Sequence, residues 1–251
     1  MTKPFTSVWA REPRRPRSSG LGREQIVAAA VEMLDAEGLE SLSMRKLGAR
    51  LGAGATSLYW YVANKDELLE LAMDEVWGLV EVPDPDRATW REVTTSTAYG
   101  LRVVLLEHPW LANLLGRMPM AGPHAFAMSD RLRRAFVRAG FTGLDVYLAS
   151  GTLMGFVLGQ VIPEIGIRQV SKDGRYDPAT LVDVVERVAA DYPEMRADFR
   201  QTVEMDPEAA RAMAFDFALL CLLDGLAARL VAAGVAESSG QPADNGVPER
   251  R

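Results

Sequence analysis

Residues 58–69 read LYWYVANKDELL, and three consecutive aromatic side chains, Tyr59, Trp60 and Tyr61, end four positions before Lys65. The segment is too short to bury all three rings. A phenolic hydroxyl can bind a phosphate oxygen, and an aromatic ring can pack against a sugar or a thymine methyl group. Lys65 begins a predicted helix, where its ammonium and unpaired backbone N–H groups would meet a phosphate together. The chemistry of this segment indicates a surface for nucleic acid.

The charge distribution favours the same kind of partner. The 251 residues carry a net charge of −6, but residues 1–65 contain 10 Lys or Arg against 6 Asp or Glu. A basic end on an acidic body is typical of a protein whose basic end meets phosphate. The alternative interpretation is a chance excess of basic residues in a flexible tail.

Apolar residues recur at spacings of three and four along most of the chain, which predicts an all-α fold. In residues 23–37 this spacing gives a first helix, which Gly38 can close in the left-handed conformation. Ser43 can cap a second helix that ends at the glycine opening the linker GAGA. A helix of at most two turns then covers TSLYWYV, and Asn64 can cap a fourth helix over residues 65–80.

Two helices that flank a tight glycine turn form a helix-turn-helix, in which the second helix enters the major groove of DNA. On the short third helix, Leu58 and Val62 are four residues apart and can anchor the inner face. Ser57 and the aromatic residues 59–61 then face the sides and the outside. The pattern predicts a DNA-reading head over residues 22–68.

The stretch SLSMRKLGARLGAGATSLYWYVANKDELL also resembles the DNA-binding domain of TetR-family (tetracycline-repressor-type) transcriptional regulators. The shared features include the LYW core and the NK that opens the fourth helix. The resemblance implies that Ala55 and Thr56 read a different operator, because both depart from the tetracycline-repressor pattern. The DNA-contacting residues that it implies are Arg45, Ala55, Thr56, Ser57, Tyr59, Trp60, Tyr61 and Lys65.

Weaker similarity continues through WREVTTSTAYGLRVVLLEHPWLANLLGRMP and GFTGLDVYLASGTLMGFVLGQVIPE, which resemble the regulatory domain of the tetracycline repressors. The resemblance implies a homodimer built on the last two long helices and an enclosed inducer. The predicted organisation is then a basic flexible arm (1–21), the helix-turn-helix domain (22–68), a ligand-binding and dimerisation domain (69–235) and a disordered tail (236–251). The arm contains Arg11, Arg14, Arg15 and Arg17, which can enter a minor groove or only strengthen phosphate attraction.

Methionines, prolines and glycines are dense after residue 108, and flexible thioethers suit an apolar ligand of irregular shape. Ordinary core filling is an equally weighted alternative for each methionine. At drug-contacting positions the resemblance places Leu114, Leu79 and Thr97, which implies a more apolar pocket and argues against a magnesium–tetracycline complex. His108 can donate a hydrogen bond in the pocket, or it can be a solvated or capping histidine. The candidate ligand-binding residues are Leu79, Thr97, Leu101, Leu105, His108, Leu114, Met118, Phe126, Met128 and Tyr147.

Two segments are candidates for the dimer interface. Glycines recur every fourth residue between 151 and 159, and a glycine ridge lets a neighbouring backbone approach closely, either in the same chain or in a symmetry mate. The predicted last helix, residues 206–233, has a broad apolar face that a monomer would leave wet. The polar residues 166–178 between them are predicted to form a loop, as a gate or as a plain linker. The candidate interface residues are Gly151, Gly155, Gly159, Phe215, Leu219, Leu222 and Leu226.

Several classes of function are disfavoured by the sequence. The single cysteine, Cys221, lies in an apolar run and is expected to be buried. Two histidines with no carboxylates at metal-ligand spacing predict no metal site. Glycine-rich phosphate loops, Gly-x-Ser-x-Gly elbows and His-Glu-x-x-His pairs do not occur, so we expect neither an enzyme nor a cofactor. With no apolar run of eighteen residues and no signal sequence, the protein is expected to be cytoplasmic and to bind no membrane.

The leading hypothesis is therefore a homodimeric regulator, a repressor released from a palindromic operator when a small, largely apolar molecule binds its C-terminal domain. A DNA-binding activator and a ligand-independent DNA-binding protein are the alternatives. The residues themselves name neither the inducer nor the operator.

Overall fold

The computed structural model describes residues 7–10, 21–172, 174 and 178–239. These residues form ten α-helices and no β-strand, which confirms the all-α prediction. The helices are α1 (Arg23–Glu37), α2 (Met44–Arg50), α3 (Ala55–Leu58), α4 (Lys65–Trp77), α5 (Trp90–Glu107), α6 (Pro123–Ala139), α7 (Leu144–Lys172), α8 (Pro178–Val188), α9 (Pro193–Val203) and α10 (Pro207–Ser239).

The N-terminal head comprises α1 to α3 and the beginning of α4. Ser43 accepts a hydrogen bond from the Lys46 N–H at 3.2 Å, and Asn64 accepts one from the Glu67 N–H at 2.8 Å, so both predicted caps are confirmed. Gly38 has a φ of 79° and a ψ of 173°. The positive φ favours glycine, but the extended ψ corrects the predicted left-handed closure. The chain continues from Gly38 into a 3₁₀ turn at Leu39–Ser41.

The body is built around α5, α6 and α7, which pack against one another, and α10 packs on α5 and α7. Leu101, Leu105, Phe136 and Val157 are fully buried at their centre. Trp90 extends this core as one of three packed aromatic rings, with its centroid 6.2 Å from that of Phe136. Burial of these large side chains holds the three helices in fixed positions around the space between them.

Helices α8 and α9 pack against each other as a small hairpin, held by one carboxylate. Glu186 accepts hydrogen bonds from the guanidinium groups of Arg196 and Arg200. The bonds from Arg200 and then Arg196 lower the pKa of Glu186 to about 2. Its charged form therefore stabilises the hairpin above the ordinary carboxyl range, and that contribution is lost as the pH falls through about 2.

Helix α4 connects the head to the body, because it packs against both α1 and α6. It is buried on almost every side. Met73 and Trp77 are 1% exposed, and the carboxylates of Glu70 and Asp74 are 1% and 5% exposed. Buried carboxylates need hydrogen-bond donors, so α4 must receive them from neighbouring elements.

The structure corrects several predicted segment boundaries. Residues 166–172 continue α7 and are not a loop, and residues 236–239 belong to α10 and not to a disordered tail. In the predicted flexible arm, residues 7–10 pack on α4 and Val8 is buried. Arg11, Arg14, Arg15 and Arg17, together with residues 240–251 and most of the predicted gate beyond 172, lie outside the described residues.

Cys221 is exposed, so the predicted buried thiol is wrong. It lies two residues after the buried Leu219, and two helical steps of 100° each place it on the opposite side of α10. Among the helices that the structure describes, α7 alone is long and apolar enough to cross a membrane by length and composition. It packs against α5, α6 and α10, as a central helix of a helical domain does.

Candidate DNA-binding and ligand-binding sites

The turn between α2 and α3 is fixed by close backbone approach. A Cβ on Gly48 would lie 2.7 Å from the carbonyl oxygen of Ala53, so this position requires glycine. Gly52 in the same turn has a φ of +63°, which also favours glycine. Leu58 and Val62 are fully buried and anchor the short third helix to the head, as predicted.

The outer surface of this turn carries the predicted DNA-contacting side chains. Arg45, Thr56 and Ser57 are exposed, and Ala55 is half-buried. Helix α3 comprises one turn only, so residues 59–61 lie in the turn after it, which corrects the prediction that the helix covers residues 56–62. After Leu58 the chain tightens, because the Trp60 and Tyr61 N–H groups donate to carbonyls three residues back, those of Ser57 at 3.3 Å and Leu58 at 2.9 Å.

The four remaining candidates are divided between the surface and the core edge. Tyr59 and Trp60 are 46% and 40% exposed, whereas Tyr61 is half-buried against the core of the head. Lys65 is half-buried, and its ammonium donates to the carbonyl of Leu39 at 3.2 Å. An ammonium has three donors, so this bond fixes the side chain and leaves donors for a phosphate.

A cavity of about 760 Å³ lies in the body between α5, α6 and α7. Its size is that of a pocket for a drug-sized molecule. Most of the wall is aliphatic or thioether, with a few hydroxyls and one guanidinium. The lining residues are Thr97, Leu101, Met120, Met128, Ser129, Leu132, Arg133, Val137, Gly143, Val146, Tyr147, Ser150, Gly151, Leu153 and Met154.

The structure brings four of the predicted ligand-binding residues to this cavity, namely Thr97, Leu101, Met128 and Tyr147. Six do not line it. Leu105 and Leu114 are buried in the core and Met118 packs on its edge, while Leu79 and Phe126 are exposed and His108 lies at the head–body junction.

Sequence reasoning missed most of the α6 and α7 walls, including Leu132, Arg133 and Met154. The available signal was helical spacing. Leu132 follows Met128 by four residues, and Met154 follows Tyr147 by seven, so each lies on the same helix face as a residue already chosen. Gly151, which the sequence placed at the dimer interface, also lines the cavity.

His108 and Trp110 bind the head at Asp35 of α1. The Trp110 indole N–H donates to the Asp35 Oδ1 at 2.7 Å, and the His108 Nδ1 lies 2.7 Å from the same oxygen. A carboxylate oxygen only accepts, so this Nδ1 carries the proton. The end of α5 and the turn after it are therefore attached to α1.

Helix α6 begins on a carboxylate of α4. Asp74 accepts hydrogen bonds from the Ala125 N–H at 3.0 Å and the His124 N–H at 3.2 Å, both in the first turn of α6. A Cβ on Gly122 would lie 2.1 Å from the Asp74 carboxyl carbon, so glycine is required for this approach. Asp74 therefore acts as an N-terminal cap supplied by another helix. A wall of the cavity is fixed to the helix that leads to the reading head.

The second buried carboxylate of α4 binds the N-terminal segment. Glu70 accepts hydrogen bonds from the hydroxyl of Ser7 and from the N–H of Val8, the latter at 2.7 Å. Because Glu70 is almost fully buried, these bonds compensate for the water that its carboxylate has lost.

The predicted dimer residues divide between two faces. Phe215, Leu219 and Leu226 are buried in their own chain and Leu222 is half-buried, so the apolar face chosen on α10 belongs to the core of the body. This corrects the assignment of Phe215, Leu219 and Leu226 to an interface, whereas that of Leu222 stays a prediction. The exposed apolar side chains of α10 lie on its other side and are Met213, Phe217, Leu220 and Val231. On α7, Gly155 and Gly159 are exposed, and no heavy atom lies within 4 Å of a Cβ built on either residue.

Comparisons with known proteins match both regions of the chain. Residues 26–72 match the family described as bacterial regulatory proteins, tetR family, and residues 82–230 match the tetracyclin repressor-like C-terminal domain. An HTH-type transcriptional regulator of Saccharopolyspora erythraea is 40% identical over 194 residues, which cover 77% of this chain and 81% of that protein. The HTH-type transcriptional repressor DrrR1 of Streptomyces coeruleorubidus is 32% identical over 223 residues, covering 86% and 81%.

A solved structure is also similar. The TetR family protein ActR of Streptomyces coelicolor in complex with actinorhodin has a TM-score of 0.69 and 28% sequence identity. The similarity covers 84% of this chain and 99% of that one. The helix-turn-helix head and the helical body are thus found together in the proteins that this chain resembles.

Proposed function

This chain belongs to the TetR family of bacterial transcriptional regulators, and on that premise we propose that it is a homodimeric, cytoplasmic repressor released from a palindromic operator by a small, largely apolar molecule. Regulators of this family combine a helix-turn-helix DNA-binding domain with a ligand-binding C-terminal domain. DrrR1 is described as a repressor, and ActR has been solved with a small molecule bound. These relatives support the repressor role, and they also favour a regulator over an enzyme.

The observation that carries the proposal is the attachment of the cavity wall to α4 through Asp74. Met128 and Leu132 on α6 line the cavity, and the first turn of the same helix is capped by the α4 carboxylate. A ligand that displaces α6 must move α4 or break this cap. Since α4 begins at Lys65 beside the reading surface, its movement changes the position of the head.

The mechanism is a linkage between two binding equilibria. Two reading heads must lie about 34–36 Å apart to enter successive major grooves on one face of the operator. A ligand that binds better to the dimer with a different separation lowers DNA affinity by the same coupling free energy. In this arrangement DNA also lowers the affinity for the ligand, which gives an independent test.

The DNA-binding part is tested by selecting fragments of the native genome with the purified protein and measuring their affinity by fluorescence anisotropy. A repressor of this kind enriches a near-palindromic sequence and keeps its affinity for it as salt rises, while binding to a scrambled duplex falls steeply. Equal, salt-limited binding to both duplexes would refute sequence-specific recognition.

The ligand part is tested on the operator complex found in that experiment. Small apolar molecules extracted from the native cells are added, and the anisotropy is followed to identify the fraction that releases the DNA. A reporter gene behind the operator must then be switched on by the same fraction. Transcription that rises on protein binding, without release, would identify an activator and contradict the proposal.

A further inference from the structure

Hydrogen-bond donors and acceptors lie on different sides of the cavity wall. Their positions indicate which polar groups a ligand must carry. Arg133 is the one formally charged side chain among the lining residues that the structure describes, and no carboxylate lines the cavity with it. Arginine only donates hydrogen bonds. The α6 side of the cavity therefore presents a cation and N–H donors to a ligand.

The aliphatic hydroxyls of the lining on α5 and α7, those of Thr97 and Ser150, have the opposite character. Thr97 donates its proton to the carbonyl of Val93 at 2.7 Å, and Ser150 donates its proton to the carbonyl of Val146 at 3.0 Å. A hydroxyl has one proton and two lone pairs. With their protons committed to their own helices, these two groups can only accept hydrogen bonds from a ligand.

Arg133 is available for a ligand because its present partner is weak. Its Nε and Nη2 atoms both lie 3.1 Å from the same oxygen of Asp130, and the two side chains are 57% and 55% exposed. An exposed pair of this kind contributes little net free energy. The remaining N–H groups of the guanidinium fork can bind an oxygen anion, with Asp130 as a competitor.

We infer that the ligand is a largely apolar molecule that carries an anionic oxygen group, bound by Arg133, and a hydroxyl or N–H donor, bound by Thr97 and Ser150. The rest of the molecule contacts the aliphatic and methionine walls, where apolar surface is buried and flexible thioethers adapt to its shape. This inference rests on the proposed function, because it names the chemical class of the inducer.

The test uses two fluorescent probes with the same aromatic framework. Anilinonaphthalene sulfonate carries an anion and an N–H, and phenylnaphthylamine carries the N–H without the anion. Each is titrated into the full-length protein without DNA, and Kd is measured for wild type, Arg133→Gln and Arg138→Gln. Arg138 is a matched control, because it lies on the same helix, is paired with Asp86 and does not line the cavity.

Loss of a charge-assisted hydrogen bond predicts that Arg133→Gln weakens the sulfonate roughly tenfold and leaves the neutral probe unchanged. Arg138→Gln should change neither Kd. Asp130→Asn removes the competing carboxylate and should strengthen the sulfonate alone. The opposite direction of this variant excludes misfolding as the cause of the Arg133 result.

Two further variants locate the probes and test the donor. Ser129 is exposed in the cavity wall, and Ser129→Trp places a large ring there. In this variant the Kd of the sulfonate should be at least as high as in Arg133→Gln. Ser150→Ala should weaken both probes several-fold, since both carry the N–H. If it weakens neither probe, the donor requirement is wrong.

Equal effects of Arg133→Gln on the two probes, or no effect on either, would overturn the anionic requirement. That failure would leave the repressor proposal intact, because operator selectivity is measured separately and with no probe present. Conversely, a protein that selects no operator but binds the sulfonate through Arg133 would refute the repressor and keep the assignment of the cavity.

Discussion

Removing the Asp74 carboxylate should destabilise the protein, because this side chain is the cap of a helix 50 residues away. In Asp74→Ala the N–H of Ala125, a residue that is 1% exposed, loses its acceptor and cannot reach water. A buried unsatisfied donor costs about 1–3 kcal/mol. The His124 N–H is closer to solvent, so the loss of its acceptor costs less. The free energies that an N-terminal cap and a charge at the helix dipole usually contribute fall within the same range of about 1–3 kcal/mol. We expect the free energy of unfolding to fall by about 2 kcal/mol.

The measurement is urea unfolding followed by circular dichroism, with the protein concentration held constant. Glu75→Ala is the matched control, because Glu75 is the next residue of α4 and is exposed. Gly122→Ala provides a second route to the same defect, since its methyl group would occupy the position of the Asp74 carboxylate. Both Asp74→Ala and Gly122→Ala should lower the urea midpoint, and Glu75→Ala should not. Stability of Asp74→Ala within about 0.5 kcal/mol of wild type would refute the capping role.

The same variant tests the transmission of the ligand signal. If α6 acts on the head through this cap, Asp74→Ala should still bind the operator and the ligand, but each should alter the affinity of the other much less. The coupling factor is obtained by measuring operator affinity with and without saturating ligand. A variant that is destabilised yet fully coupled would show that the cap holds the fold and that the signal travels by another contact.

Three further predictions concern other surfaces of the molecule. Tyr59→Ala should weaken operator binding roughly tenfold in anisotropy titrations, because one contact to the duplex is lost. Tyr192→Ala, at the start of α9, is the control and should leave the affinity unchanged. Equal small effects of the two variants would mean that the reading surface is misplaced. Glu70→Ala should lower the free energy of unfolding by about 1.5–3 kcal/mol, because both hydrogen bonds to the N-terminal segment are lost. The same loss should speed proteolytic cleavage before residue 21. An unchanged rate of cleavage would contradict this attachment. Leu220→Asp should produce monomers in sedimentation velocity, whereas Val203→Asp on α9 should remain dimeric. Both positions are exposed in the chain, but only Leu220 lies on the exposed apolar side of α10. A dimer in both variants would place the interface elsewhere.

Features determined by neighbouring residues were predicted well from the sequence. The caps at Ser43 and Asn64 each depend on a contact three positions along the chain, which a linear pattern records. The third helix was predicted too long, because helical periodicity alone cannot show that the Trp60 and Tyr61 N–H groups donate to carbonyls three residues back instead of four.

Features that join distant parts of the chain were not predictable in the same way. Helix α10 is apolar on nearly all sides, and periodicity therefore gives two possible inner faces, one containing Phe215 and the other Phe217. Only packing against α5 and α7 decides between them. The cavity was predicted only in part for a related reason. The density of methionines indicates where adaptable walls occur, but the position of Arg133 depends on how α6 is rotated against α7.

The head–body junction has a consistent chemical arrangement, and the proposed ligand response depends on it. The acceptors are carboxylates on α1 and α4, and the donors come from other elements: Asp35 receives the indole N–H of Trp110, and Asp74 receives the first turn of α6. Hydrogen bonds of about 3 Å weaken steeply with small changes in distance and angle. A displacement of α6 by about 1 Å would therefore either move α4 with it or break the cap, because a stretched cap between these two states is weak.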